Sequence, residues 1–270
     1  QNIITIASTG TLGASDIANL NAVAGDSDHD GAVTASITAN LSAINPTTLA
    51  TTSSKDAITV NVSDSELTST ADITSLNLLK TRTSGVITAT VTQSAANLAT
   101  LNTTSTDKIT LNATGNTSVA NAVAITAKTE SLDNISYANI TDTHGNISGA
   151  TLASSSALTA LKTQLGVSSN FDTLNAVYNK VTDSPSTVVV SDSNITVDVA
   201  KTISGFTKLV AYDISDTAGD DLGDDGVATT GSDVDRAITE AGVVTSTETL
   251  TIAEAIEMLN GESVSGGNFI

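Results

Sequence analysis

Apolar residues in this chain recur at every second position in short runs. Val33, Ala35 and Ile37 make one run, and Ile87, Ala89 and Val91 make another. A period of two places such residues on one face of a β-strand and the intervening Thr and Ser on the other. β-Branched Thr stiffens χ1 and suits the extended backbone. Shorter apolar runs follow at 58–62, 109–111, 123–125, 188–190 and 195–199, with clusters of Ser, Asn, Gly and Asp between them. Helical spacing is sparse. It is confined to 16–23, 94–101, 156–165 and 172–178, which read as one- or two-turn corners or short helices, and to a C-terminal stretch at 251–259.

The runs are copies of one another. Gly85-Val-Ile-Thr-Ala-Thr-Val-Thr leads into Ser94-Ala-Ala-Asn-Leu98, and Gly31-Ala-Val-Thr-Ala-Ser-Ile-Thr is an earlier version. Gly145-Asn-Ile-Ser begins a weaker one. Leu20-Asn21 precedes the first copy, Leu76-Asn77 the second, and Leu174-Asn175 marks a later fragment. Thr59-Val-Asn-Val-Ser-Asp-Ser65 is echoed by Thr187-Val-Val-Val-Ser-Asp-Ser193. From Val33 to Ile87 the offset is 54 residues, and from Ile58 to Ile109 it is 51. A unit of that length holds two or three turns of a stacked coil, and such self-similarity dictates architecture.

Composition narrows the choice. The 270 residues include three Tyr, three Phe and no Trp. A wide globular core relies on large aromatics to fill its span. Thin layers of Val, Ile, Leu, Ala and Thr suit stacked repeats better. The expected fold is mainly β: a β-solenoid, or parallel β-helix-like stack, with a few short helices. Residues 1–211 form the repeat domain. Residues 212–270 form an acidic C-terminal cap or assembly module, in which Ile252, Ala255, Ile256 and Leu259 share a helical face behind a Thr251/Glu254 capping box.

The net charge of −19 disfavours nucleic acid and anionic membrane surfaces as partners. Cysteine is absent, so no disulfide framework exists. No apolar run approaches the roughly 20 residues that span a bilayer. The expected location is extracellular, at the cell surface.

Asp26, Asp28 and Asp30, with Gly31 next, match the front half of a calcium loop. Alternate carboxylates converge on one cation, and Gly permits the turn. Ile37 stands where an EF-hand has its bidentate Glu, so either a looser Ca²⁺ corner or a solvated acidic turn results. Asp220, Asp221, Asp224 and Asp225 crowd a second acidic loop, where mutual repulsion is relieved by a cation or by solvent. The two histidines, His29 and His144, both sit in turn-like sequence, and no nucleophile elbow, zinc motif or phosphate loop is present. An enzyme is therefore not expected.

The strings Leu-Asn-x-Leu, Gly-x-Val/Ile-Thr-Ala-Thr-Val-Thr and Asp-x-Ile-Thr-Val-x-Val-Ser-Asp resemble the β-strand repeats of very large secreted surface proteins of cyanobacteria and marine bacteria. Those proteins often carry haemolysin-type calcium repeats as well, although the glycine-rich nonapeptide of such repeats is missing here. The resemblance implies secretion, a surface or filament location, and Ca²⁺ dependence. The expected function is a structural subunit of a filament, sheath or surface layer that polymerises head to tail with itself through open strand edges. An adhesin or phage-fibre module contacting a cell-surface glycan is the alternative, and a glycan-active enzyme ranks behind it.

Overall fold

The computed structural model describes residues 6–24, 33–47, 49, 57–182, 188–208, 210–216, 240–246 and 268–269. Strands and helices alternate along it. The chain begins β1 (Ile6–Leu12), α1 (Ile17–Ala24), β2 (Val33–Ala39), α2 (Leu41–Ile44), β3 (Ala57–Val62), α3 (Thr70–Arg82), β4 (Ile87–Ser94), α4 (Ala95–Leu98) and β5 (Lys108–Thr117). It continues through α5 (Val119–Ile125), β6 (Ile135–Asp142), α6 (His144–Ile147), α7 (Ser156–Leu165), α8 (Asn170–Tyr178), β7 (Val188–Val190) and α9 (Val197–Ile203). Four short strands complete it: β8 (Val210–Ala211), β9 (Ile214–Asp216), β10 (Val243–Ser246) and β11 (Asn268–Phe269).

The chain divides into two compact units, residues 1–115 with 123–136, and 116–122 with 137–270. In the first, β1 to β5 pair in sequence order and every pairing is parallel. In the second, β6, β7 and β8 follow the same rule, and β9, β10 and β11 form a small parallel sheet. Parallel neighbours need a crossover, and helices lie in the connections within β1–β5 and within β6–β8.

This α/β architecture corrects the expected mainly-β solenoid. The alternation at 33–37 and 87–91 predicts one buried strand face, and that face is buried: Ile37, Ile87 and Val91 are fully enclosed. What covers it is a layer of helices rather than the far wall of a β-coil. Leu41 and Ile44 of α2, Leu76 and Leu79 of α3 and Leu98 of α4 are all buried, each exposed by no more than 5%. Ala35 pairs with Ile58, 23 residues on, Val60 with Ile87, 27 on, and Ala89 with Ile109, 20 on. The 54-residue sequence repeat therefore holds two strand–helix steps, so β2 and β4 are equivalent and β3 lies between them.

The longest helix among the described residues, α3, is absent from the sequence-based expectation, yet its signals are local. Ser69 accepts the Asp72 N–H at 3.1 Å while Asp72 accepts the Ser69 N–H at 2.9 Å, a reciprocal cap. Ile73, Leu76 and Leu79 line one face, and Lys80 and Arg82 sit in the last turn, where the helix dipole favours cations. By contrast, the expected helices at 156–165 and 172–178 are present as α7 and α8, each with a Ser cap, Ser155 and Ser169. The expected helix at 251–259 lies outside the described residues.

Gly85, the first residue of the second repeat copy, has a packing role. A Cβ there would fall 2.3 Å from the Ile58 carbonyl oxygen on β3. Gly13, by comparison, would meet nothing nearer than 3.9 Å. Gly85→Ala is expected to destabilise the protein by about 1–3 kcal/mol through overpacking, while Gly13→Ala costs less than about 0.5 kcal/mol. Denaturant midpoints at unchanged slope check both values; equal midpoints would contradict the packing role.

Candidate functional site

The polar chemistry of the described residues lies in two places: the ties between successive strand–helix steps, and the sheet face that no helix covers.

The ties begin with aspartates at or just past the strand ends. Asp64, two residues beyond β3, accepts the N–H of Leu41 at the start of α2, at 2.6 Å. Asp142 does the same for Val119 of α5 at 3.0 Å, and Asp192 for His144 of α6 at 2.7 Å. A helix start leaves N–H groups without partners, and a carboxylate there gains from the dipole as well. Each cap comes from the following step, so one step completes the helix of the step before it. The echoed Val-Ser-Asp-Ser strings at 62–65 and 190–193 are two of these caps.

Leu-Asn pairs make a second tie. Leu76 and Leu174 are fully buried. Asn77 then donates to the Thr100 carbonyl at 3.0 Å and accepts the Asn102 N–H at 2.6 Å. Asn175 likewise donates to Thr207 Oγ1 at 3.2 Å and accepts the Thr207 N–H at 2.9 Å. Both ends of each side-chain amide thus fasten the next loop, which explains why Leu-Asn marks the repeat.

Asp107 is the most enclosed tie, at 0% exposure. Its carboxylate accepts from Lys80 Nζ at 2.9 Å, the Ile87 N–H at 2.9 Å and the Thr104 N–H at 2.8 Å. Its own carbonyl accepts the Glu130 N–H at 2.8 Å. Thr83 has a similar role in the preceding step, donating to the Ile58 carbonyl at 2.6 Å and accepting the Ile58 N–H at 2.9 Å. Lys128 and Lys208 reach back 27 residues to the carbonyls of Leu101 and Val181, at 2.6 and 2.9 Å.

The uncovered face belongs to β2–β5. Thr34, Ser36 and Thr38, then Thr59 and Asn61, then Thr88, Thr90 and Thr92, then Thr110, Asn112 and Thr114 alternate with the buried residues and keep contact with solvent. Strand crossovers of one hand, all stepping in one direction, put the helices on one side and leave the other open. Rungs form across the strands: Thr38 is level with Asn61, Asn61 with Thr88, and Thr90 with Thr110. Asn112 donates to Thr92 Oγ1 at 3.0 Å and accepts from Ser136 at 2.8 Å. Asn61 and Asn112, which stand in Asn-x-Ser/Thr triplets, are therefore ladder residues of the sheet. Lys108 is the one charged residue among these strand positions of β2–β5.

Asp26, Asp28, Asp30, Asp220, Asp221, Asp224 and Asp225 all lie outside the described residues. Among the described residues, no group of three or more His, Asp or Glu could hold a metal ion. His144, expected in a turn, instead opens α6, its Nδ1 3.1 Å from Asp192 Oδ2. The backbone N–H of His144 and, secondarily, its ring hold the Asp192 carboxyl below the usual carboxylate range. Tyr137 and Tyr178 are enclosed and donate to the carbonyls of Ala122 and Ile147 at 2.8 and 2.7 Å. Burial pushes both phenols far above their ordinary value, so they act as neutral donors within the core. No helix among the described residues is long and apolar enough to cross a membrane. Comparison with protein-family models, with curated proteins and with solved structures returns no match.

The Asp107 tie has a measurable consequence. Asp107→Ala strands an ammonium and two backbone N–H groups in a dry setting and is expected to cost about 3–5 kcal/mol. Glu66→Ala, at an exposed position with one Thr92 contact, is expected to cost less than about 1 kcal/mol. Chemical denaturation of the two variants checks this, and similar losses would contradict the role assigned to Asp107.

Proposed function

We propose that the chain is an extracellular structural protein that assembles head to tail with copies of itself. The observation that carries this reading is the asymmetry of the ties: aspartates reach from a step to the helix before it, and asparagines reach from a step to the loop after it. Strands added in order on one side give a sheet two different edges, and each edge has the shape and polarity of the partner it meets inside the molecule. Contact between unlike edges of two copies does not close, and it propagates into a fibre. The acidic, cysteine-free composition and the resemblance to secreted bacterial repeats favour a surface or filament location.

The test is negative-stain electron microscopy and sedimentation over a range of protein concentrations. Elongated particles that lengthen with concentration are expected, and a single small species at every concentration would overturn the proposal. A second reading, a surface-binding module, draws on the open Ser/Thr/Asn face. It predicts binding to cell-surface glycan without assembly.

Calcium belongs to the proposal through Asp26, Asp28 and Asp30 and through Asp220, Asp221, Asp224 and Asp225. Millimolar Ca²⁺ is expected to raise the melting temperature by several degrees, and chelator to reverse the gain, as mass action requires of a ligand that binds the folded chain. Superimposable melts with Ca²⁺ and with chelator would remove the metal.

A further inference from the structure

On the helices, threonine hydroxyls turn back to the chain. Thr81, Thr159 and Thr163 donate to the carbonyls of Leu78, Ser155 and Thr159. On the uncovered face of β2–β5 the hydroxyls of Thr59, Thr88, Thr90 and Thr110 bond to no other described residue. They stand on neighbouring rungs, since Asn61 is level with Thr88 and Thr90 with Thr110. Charge is scarce here, although the chain carries −19 overall. Three charged side chains border the face: Lys108 at the start of β5, Glu130, whose N–H bonds the Asp107 carbonyl beside it, and Glu66, which accepts from Thr92. Two copies of so acidic a chain repel least where carboxylates are fewest.

We propose that this face is a second self-association surface, on which another copy of the chain lays the same face, so that head-to-tail filaments pair side by side. The proposal deepens the filament reading and rests on it. A contact between like faces needs groups that complement themselves. Hydroxyls and side-chain amides both donate and accept, whereas a patch of one charge sign repels its copy. A glycan is the less suited occupant. Small ligands are gripped in concave sites with aromatic walls, and no aromatic residue stands in β2–β5. Tyr137, Tyr178 and Phe206 are buried in the core.

Size sets the strength of the contact. Four strands with about seven residues each present on the order of 400 Å². A standard interface covers about 800 Å² on each partner. One pair of faces is therefore weak, and repetition along two filaments makes the contact stable.

The chain has no cysteine, so single-cysteine variants of the whole protein report contact between copies. Thr90→Cys places a thiol near the middle of the face, and Thr81→Cys places one on an exposed position of α3 as the control. Under mild oxidant at millimolar protein, Thr90→Cys is expected to form disulfide-linked dimers about tenfold faster than Thr81→Cys, because only facing thiols meet the geometry of the bond. Negative-stain microscopy is expected to show paired filaments for the wild type and single filaments of unchanged length for Thr90→Glu, with Thr90→Ser still paired. Single filaments in the wild type, or equal crosslinking at the two positions, would overturn the proposal and leave head-to-tail assembly standing. Absence of any filament would remove the head-to-tail reading, and the crosslinking ratio then decides the face by itself. Neutral polysaccharide bound without dimer crosslinking would give the face to a glycan and overturn the proposal as well. Circular dichroism spectra that match the wild type show that each variant is folded.

Discussion

A strand followed by a short helix cannot satisfy its own hydrogen bonds. The helix start leaves N–H groups exposed, the connecting loop leaves carbonyls and amides, and the helices here run from four to thirteen residues. Isolated helices of that length are marginal in water. The starts of α3, α7 and α8 are capped locally by Ser69, Ser155 and Ser169, whereas those of α2, α5 and α6 are met by the next step along the chain. Asp64 completes α2, Asp142 completes α5, and Asp192 completes α6. Asn77 and Asn175 fasten the loops that follow them. Burial of Leu, Ile and Val supplies the driving force, and these ties fix the order and register in which it is used.

That constraint accounts for the composition. A sheet covered by helices on one side needs one layer of medium-sized side chains, and Leu76, Leu79, Leu98 and Leu101 fill it with no tryptophan. The open side needs residues that tolerate both the pleat and water, and Thr, Ser and Asn serve. Asp107 shows the limit of the scheme. There a carboxylate is wholly enclosed, and an ammonium and backbone N–H groups offset its desolvation.

The strands are legible in the sequence because period-two burial depends only on neighbours in the chain. Val33, Ala35 and Ile37, and their counterparts at 87–91, fall on the buried face as that pattern requires. The repeat itself is also legible, although its length covers two steps rather than one. The helices are harder to see. Helices α2 and α6 are four residues long, too short for a 3.6-residue period to register, while α4, equally short, falls inside the expected 94–101 segment. Helix α3 is masked because Leu76-Asn-Leu-Leu doubles as a repeat marker, which draws attention away from the Ser69/Asp72 cap. Thin aromatic-poor layers then suggest a β-coil, when the same layers serve equally between a sheet and helices. Of the polar ties, the Val-Ser-Asp-Ser echo and the Leu-Asn pairs are visible as patterns. The capped N–H groups lie 23 to 48 residues from their aspartates, and no local rule connects them.

Capping groups from neighbouring steps hold the starts of α2 and α5 and the loop after α4 as firmly as the core holds its strands. Amide exchange at Leu41, Asn102 and Val119 measures this directly, because the partners of these N–H groups are side chains of Asp64, Asn77 and Asp142. Protection within about tenfold of the neighbouring strand amides is the predicted result, with selective loss at Asn102 in Asn77→Ala. Exchange at these amides as fast as in an unstructured peptide, beside protected strands, would contradict it.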